Sequence, residues 1–469
     1  MKKSPLLLLA ASLYSSLAIS QSAVNAFVNA PDMKRANLSV MIKDVETGET
    51  ILQHRADKNT VPASTTKLVT TATALEILGP DFTFTTKLQY DGTIENGVLN
   101  GNIYILGGGD PTLGSKYMGD SLFLDKWTAA VKQLGIKKIT GTVIGDGTLY
   151  DTQGIPPRWT WEDMGNYYAA GAYGISIYDD TYKVYFNSGE AGTTPEIIRV
   201  EPLMPDLRFK LFLKSANIND DSAYFYGAPY SNDRSIYGEI PANRKEFVSK
   251  GDIPYPALYA AQVFRQNLVA NGVEVTQPAT ADVITGNTRT TFFTQTSPTL
   301  KEIIGNINYK SNNHYAEHLF NYLALQKAKQ ANITDAVSVI KNFWKSKGLD
   351  ISGFIINDGC GLSPSNAISA KFFVDLLTFE ANKSSYKNVF ISTLPVAGES
   401  GTVRKLLKGT RLEGKVHAKS GSIFDVQCFA GYIDWKNKQY AFAVLVNNYT
   451  GSRKSVIEEI EKLLLSVAK

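Results

Sequence analysis

The sequence predicts an α/β domain, a sheet flanked by helices, that a large and mostly β insertion splits in two. Three observations predict it. Both chain ends carry strand and helix signals of one α/β unit. The middle changes character, to short strand-like runs with glycine pairs and aromatic-rich loops. The length, 469 residues, exceeds one ordinary core, so two or three domains are expected.

The N-terminus comes first. Lys2 and Lys3 precede the apolar "PLLLLAASLYSSLA", and small residues follow at Ala18 and Ser20. That pattern is a secretory signal peptide, residues 1–20, with a cut expected after Ser20. Its apolar stretch is short for a membrane span, and no cysteine near the cut offers a lipid anchor. No other stretch approaches transmembrane length. The expectation is a chain exported across the inner membrane, periplasmic, and soluble or peripherally membrane-associated.

Next, "LSVMIKDVETGETILQHR" alternates around a turn at Gly48 and predicts a β-hairpin. A helix is expected from Pro62 or Ala63 to Gly79-Pro80, because proline suits a first turn and Gly-Pro stops a helix. Residues 21–85 and 293–469 form the split domain on this reading. Residues 86–292, with "GNIYILGGGDPTLG", "GTVIGDGTLYD" and "YFYGAPYSNDRSIYG", form the insertion, with a second domain nested in it. Near the end, "QCFAGYIDW" and "YAFAVLVNN" predict two strands around the polar "KNKQ" turn. "GSRKSVIEEIEKLLLSVAK" predicts an amphipathic helix.

Composition narrows the function classes. The formal net charge is only +4, with no long run of one sign, which argues against a nucleic-acid partner or a strongly basic membrane patch. The two cysteines, Cys360 and Cys428, are too few for a disulfide scaffold or a cysteine zinc site. Two buried free thiols are expected.

Ser64 and Lys67 in "VPASTTKLVT" would lie one helical turn apart on one face. An amine beside a hydroxyl takes its proton if burial or another cation lowers the amine's pKa. The spacing alone is cheap, since Ser338/Lys341, Ser384/Lys387 and Ser466/Lys469 repeat it. Two distant elements add weight. "KSNNHY" holds Ser311 and Asn313 as Ser-x-Asn at an expected helix start, otherwise an N-cap. A second Ser-x-Asn stands at Ser215. "HAKSGSIF" holds Lys419-Ser420-Gly421 just before a strand pair, otherwise a basic turn. In this order, with Lys-Ser-Gly standing for Lys-Thr-Gly, the three match the acyl-serine transferase signature.

With these motifs the chain resembles the class C low-molecular-mass penicillin-binding proteins, the D-Ala-D-Ala carboxypeptidase/endopeptidase family, over essentially the whole mature chain. "PASTTK" with "LGPDFTFTT", "NDGCGLSPSN", "LPVAGESGT" and "WTWEDMGNYY" also resemble family segments, and the long interval from Ser64 to Ser311 fits. Cys360 and Pro364 depart from the usual serine and arginine of their segment. The resemblance implies a serine β-lactamase/transpeptidase-like domain carrying the insertion. It implies Ser64 as nucleophile, Lys67 as its base, Ser311 as a proton relay, and Asn313 orienting Lys67 and holding the substrate amide. Lys419 would face the substrate carboxylate and depress Lys67, and Ser420 would bond that carboxylate. Backbone N–H groups of Ser64 and Ser422, beside Gly421, would form the oxyanion hole. Peptidoglycan stem peptides are the implied substrate and β-lactam antibiotics the implied covalent inhibitors, with no cofactor and no metal.

Asp163, flanked by Trp161 and Tyr168, is the candidate to pair with a free amino group of a diamino-acid stem residue; its alternative is a helix-start aspartate beside core aromatics. Asp110 in "GGGDPTL" reads as turn chemistry. Two rivals compete. "HYAEH", His314 to His318, fits His-x-x-Glu-His, and with Glu380 or Glu399 as third ligand would make a zinc peptidase. A non-catalytic wall-binding or penicillin-sensing protein would have no need to keep every chemical group.

Overall fold

The computed structural model describes residues 21–468, so the expected signal peptide over 1–20 lies outside the described residues. The chain divides into two compact units. One comprises residues up to Asp81, Leu300–Asn312 and those from Val337 onward. The other comprises Phe82–Thr299 and Asn313–Ala336. The stretch 86–292 lies within the second unit, which also takes in a helix from beyond it.

In the first unit five strands form an antiparallel sheet. They are β1 (Asn37–Asp44), β2 (Thr50–His54), β3 (Val416–Ile423), β4 (Val426–Trp435) and β5 (Lys438–Asn447). Their spatial order is β3-β4-β5-β1-β2, so the two ends of the chain meet where β1 pairs with β5. The two hairpins expected from the alternation, β1–β2 and β4–β5, are both present.

Period-two alternation decides the faces. Val40, Ile42, Val416, Ala418, Phe429, Ile433 and Val444 share one core with Val456, Ile460 and Leu463. Those last three lie on the C-terminal helix α4 (Arg453–Leu465). Each of these valine, isoleucine, leucine and phenylalanine side chains removed from water contributes about 1.5–3 kcal/mol. The opposite face meets the helix α3 (Ala370–Asn382), where Tyr432 Oη donates to Leu377 O at 2.8 Å. Lys419, next to Ala418 on β3, therefore points away from α4; a one-residue slip in register would reverse that.

The helix α1 (Thr66–Leu78) is buried from Thr66 to Leu75. Its threonine hydroxyls satisfy themselves on main-chain carbonyls, Thr71 on Lys67 O and Thr73 on Val69 O, both at 2.7 Å. A polar-rich helix is thereby made burial-compatible. The expected helix start at Pro62 or Ala63 is corrected: a single 3₁₀ turn, Ala63–Thr65, comes first. Ala63 holds φ at +47°, outside the helical region, so the α-helix cannot begin there. Gly79, at φ +80°, ends α1 as expected. The helix α2 (Leu300–Lys310) packs on α1.

The second unit carries four small sheets, two of three strands and two of four. Its helices include Phe123–Gln133, Pro256–Ala270 and Asn313–Leu323. One aromatic-rich core joins the four sheets and the first two of these helices, with Trp127 edge-on to Phe264 at 5.3 Å and Tyr182 edge-on to Phe225 at 6.0 Å. No helix among the described residues is long and apolar enough to cross a membrane.

Candidate active site

Ser64 occupies the 3₁₀ turn and Lys67 the first turn of α1, so helical geometry stacks them. Lys67 Nζ lies 3.0 Å from Ser64 Oγ and donates to Cys360 O at 2.6 Å. Lys67 is fully buried, whereas Ser64 is half-exposed. A neutral amine so held can turn its lone pair toward the serine hydroxyl. This is the arrangement a general base needs.

The loop that carries Cys360 is built by Asp358. Its carboxylate accepts from Gly361 N at 2.9 Å, Ser363 N at 2.6 Å and Asn366 Nδ2 at 2.6 Å. The loop is pinned to α1 by Thr70 Oγ1, which donates to Gly359 O at 2.6 Å. Gly361, at φ +83°, leaves no room for a side chain: a Cβ would stand 1.9 Å from Ala63 O. The 3₁₀ turn and the loop are thus pressed together at the residue before Ser64.

Lys419 closes the cluster from β3. It is fully buried, and its Nζ donates to Ser311 Oγ at 2.9 Å and to Ser420 O at 2.7 Å. Burial, and then the charge of Lys67, hold Lys419 well below the ordinary lysine range. Ser311 follows α2 at φ +59°, a left-handed conformation that serine adopts at a cost of about 1–2 kcal/mol. Ser420 Oγ donates to Thr402 Oγ1 at 2.7 Å.

Gly421 pairs with Cys428 on β4, and a Cβ there would meet Pro62 O at 2.7 Å, Thr65 N at 2.8 Å and Ser64 N at 3.0 Å. Glycine is required for close approach, and it leaves the Ser64 N–H uncovered. Ser422 follows on the same strand, opposite Gln427. The first unit therefore gathers Ser64, Lys67, Ser311, Lys419, Ser420 and Gly421. Cys360 and Cys428 are both free and buried, as expected.

The remaining candidates belong to the second unit. Asn313 opens the helix Asn313–Leu323, and its Nδ2 donates to Tyr168 O at 2.8 Å. Asp163 is buried, with Oδ2 accepting from Thr160 Oγ1 at 2.6 Å and Thr160 N at 3.3 Å. Burial, then the Asp163 charge, raises the Tyr168 phenol above its usual range. Trp161 is 66% exposed and stacks on Tyr226 at 5.4 Å. Asp110 makes the expected turn, its Oδ1 accepting from Thr112 N and Thr112 Oγ1, both at 2.7 Å.

Three contributors escape a residue-type reading. Asp358 shapes the loop, Cys360 acts through its carbonyl, and Thr402 holds Ser420. All three lie in segments singled out above, "NDGCGLSPSN" and "LPVAGESGT", yet a carbonyl's direction is not written in side-chain identity. For the zinc rival, the carboxylate gathered with His314 and His318 is Asp180 rather than Glu380 or Glu399.

Residues 20–466 match the profile described as "D-Ala-D-Ala carboxypeptidase 3 (S13) family". The chain is 27% identical over 461 residues to a D-alanyl-D-alanine carboxypeptidase of Actinomadura sp. (strain R39), covering 93% of this chain and 82% of that protein. It is 25% identical over 443 residues to the D-alanyl-D-alanine carboxypeptidase DacB of Haemophilus influenzae, covering 90% and 87%. Among solved structures, penicillin binding protein 4 (dacB) from Haemophilus influenzae superposes with a TM-score of 0.82 at 22% identity. That superposition covers 95% of this chain and 98% of the other, and it shows a shared fold.

Proposed function

The chain belongs to the D-Ala-D-Ala carboxypeptidase 3 (S13) family, and from that premise we propose that Ser64 is the nucleophile of a serine carboxypeptidase acting on peptidoglycan stem peptides. One observation carries the assignment. The Ser64 hydroxyl stands 3.0 Å from a fully buried lysine amine that a main-chain carbonyl orients.

Lys67, as neutral amine, takes the proton of Ser64 Oγ while the oxygen attacks the carbonyl of the penultimate D-alanine. The oxyanion forms against the uncovered Ser64 N–H and the N–H of Ser422, each donor contributing about 3 kcal/mol. Collapse breaks the peptide bond. The departing amine takes a proton through Ser311, which Lys419 holds by hydrogen bond. Terminal D-alanine leaves and an ester on Ser64 remains, which water hydrolyses. Two buried lysines in one cluster supply the electrostatics: burial and the charge of Lys67 hold Lys419 well below the ordinary lysine range, so the pair resists carrying two full charges. A strained β-lactam amide acylates the same oxygen.

Asn313, Asp163, Trp161 and Tyr168 keep their substrate-holding roles as parts of this proposal. Export, with removal of residues 1–20, belongs to it as well, and N-terminal sequencing of the mature protein checks the cut after Ser20. The decisive experiment is fluorescent-penicillin labelling of wild type and Ser64→Ala, followed by digestion of purified muropeptides. Label and D-alanine release are expected of the wild type alone, with acylation down at least about 10⁴-fold in the variant. Label without any release of D-alanine or cross-link cleavage would favour a penicillin-sensing protein. Label persisting in Ser64→Ala would move the nucleophile elsewhere.

A further inference from the structure

The two histidines of the His-x-x-Glu-His run are not used by the proposed serine chemistry, yet they are buried beside a third ligand-type side chain. We propose that Asp180, His314 and His318 form a closed site in the second unit for one divalent transition-metal ion of the zinc type. Their ligand atoms all lie within 4.8 Å of one another. His314 and His318 stand at i and i+4 on the helix Asn313–Leu323, their ring centroids 4.6 Å apart. Asp180 ends a turn in which Tyr178, Asp179 and Asp180 all hold positive φ, at 58°, 58° and 48°.

Both imidazoles are already in the tautomer that a metal takes. His314 Nδ1 faces Gly171 O at 2.9 Å, and His318 Nδ1 faces Gly109 O at 2.8 Å. Each Nδ1 therefore carries the proton, and each Nε2 presents a lone pair. A backbone carbonyl behind the distal nitrogen is the usual outer support of a metal-bound histidine. Asp180 is oriented likewise, with Oδ1 accepting from Ile177 N at 2.9 Å.

The independent sign of a missing partner is His314 Nε2. His314 is only 6% exposed, and this nitrogen is buried with no hydrogen-bond partner. A buried acceptor left unpaired costs about 1–3 kcal/mol. Ser176 Oγ lies 2.9 Å from His318 Nε2 and 2.5 Å from Asp180 Oδ2. While the Asp180 carboxylate is ionised, one hydroxyl proton cannot serve both acceptors. A cation bound by both Nε2 atoms and the carboxylate satisfies all of them at once, with the Ser176 oxygen as a fourth, neutral ligand.

Two nitrogens and hard oxygens, in a fourfold set, suit Zn²⁺ and its spectroscopic substitute Co²⁺. Metal–ligand bonds near 2.0–2.1 Å bring tetrahedral donors to about 3.3 Å apart, so the cluster would draw together on binding. All four ligand residues are buried and no coordination position is left for substrate. The ion would tie the helix Asn313–Leu323 to the turn 177–180 rather than perform hydrolysis.

The test uses the full chain without a histidine tag. Equilibrium dialysis with Zn²⁺ should give one equivalent per chain, and Co²⁺ should give the visible absorption of a four-coordinate site. Zinc in large excess over its Kd should raise the unfolding midpoint of the wild type by at least about 3 °C. His314→Gln and Asp180→Asn should each weaken binding at least about 100-fold, more than loss of an outer support does. The wild-type measurements need no variant to fold. A wild type that binds no stoichiometric metal and shows no midpoint shift overturns the site, and so does unchanged binding in a folded His314→Gln. Neither outcome bears on whether Ser64 is acylated.

Discussion

Each unit buries a small polar cluster, and the two are arranged in opposite ways. In the first unit the buried groups are two lysines, and each touches a serine that reaches solvent, Lys67 to Ser64 and Lys419 to Ser311. In the second, His314, His318 and Asp180 are buried together, and the serine among them, Ser176, is buried too. Burial depresses both kinds of base: Lys419 falls well below the lysine range, and His318 well below the histidine range. A proton acceptor is catalytic only if a reacting atom can reach it. Access, rather than basicity, separates a reactive cluster from a sealed one.

The largest test of that contrast after Ser64 itself removes the base. Lys67→Met fills similar volume with no amine and should slow penicillin acylation about 10²–10⁴-fold, measured as the second-order labelling rate. A loss under tenfold would mean another group takes the proton. Gly421→Ala tests access directly. Its Cβ would press on Ser64 N at 3.0 Å and Pro62 O at 2.7 Å, so one oxyanion donor is lost or displaced. Acylation should fall about 10²–10³-fold, and wild-type rates would show that the strand has room to spare.

The smallest effect is a pH slope. An unfolded lysine titrates near its ordinary value of 10.5, and Lys419 in the folded chain titrates lower, from burial and the neighbouring Lys67 charge. Between those two pH values the unfolded chain binds more protons than the folded one. Stability therefore rises with pH through that window and is lower below it. Lys419→Met should flatten this rise in thermal melts followed up to about pH 10. An undiminished slope would assign the effect to another group.

Much of this was legible in the chain because it is local. The Ser64–Lys67 pairing needs only one helical turn. The β1–β2 and β4–β5 hairpins and α4 follow from periods of two and 3.6. The resemblance supplied the partnership of Ser311 and Lys419 with them, which no spacing implies. Ala63 shows where local reading stops. Alanine prefers helix, yet here it is left-handed where the distant Gly361 loop passes close against it.

Sequence by itself determined which side chains could do chemistry, since nucleophile, amine and imidazole are matters of residue type. Tertiary structure decided what each one faces. The carbonyl of Cys360 on Lys67, the close pass of Gly421 over Ser64, and the choice of Asp180 over Glu380 or Glu399 beside the histidines all rest on main-chain paths far apart in the chain. Every residue owns the same carbonyl and the same N–H, so their direction is set by packing and leaves no mark in the letters.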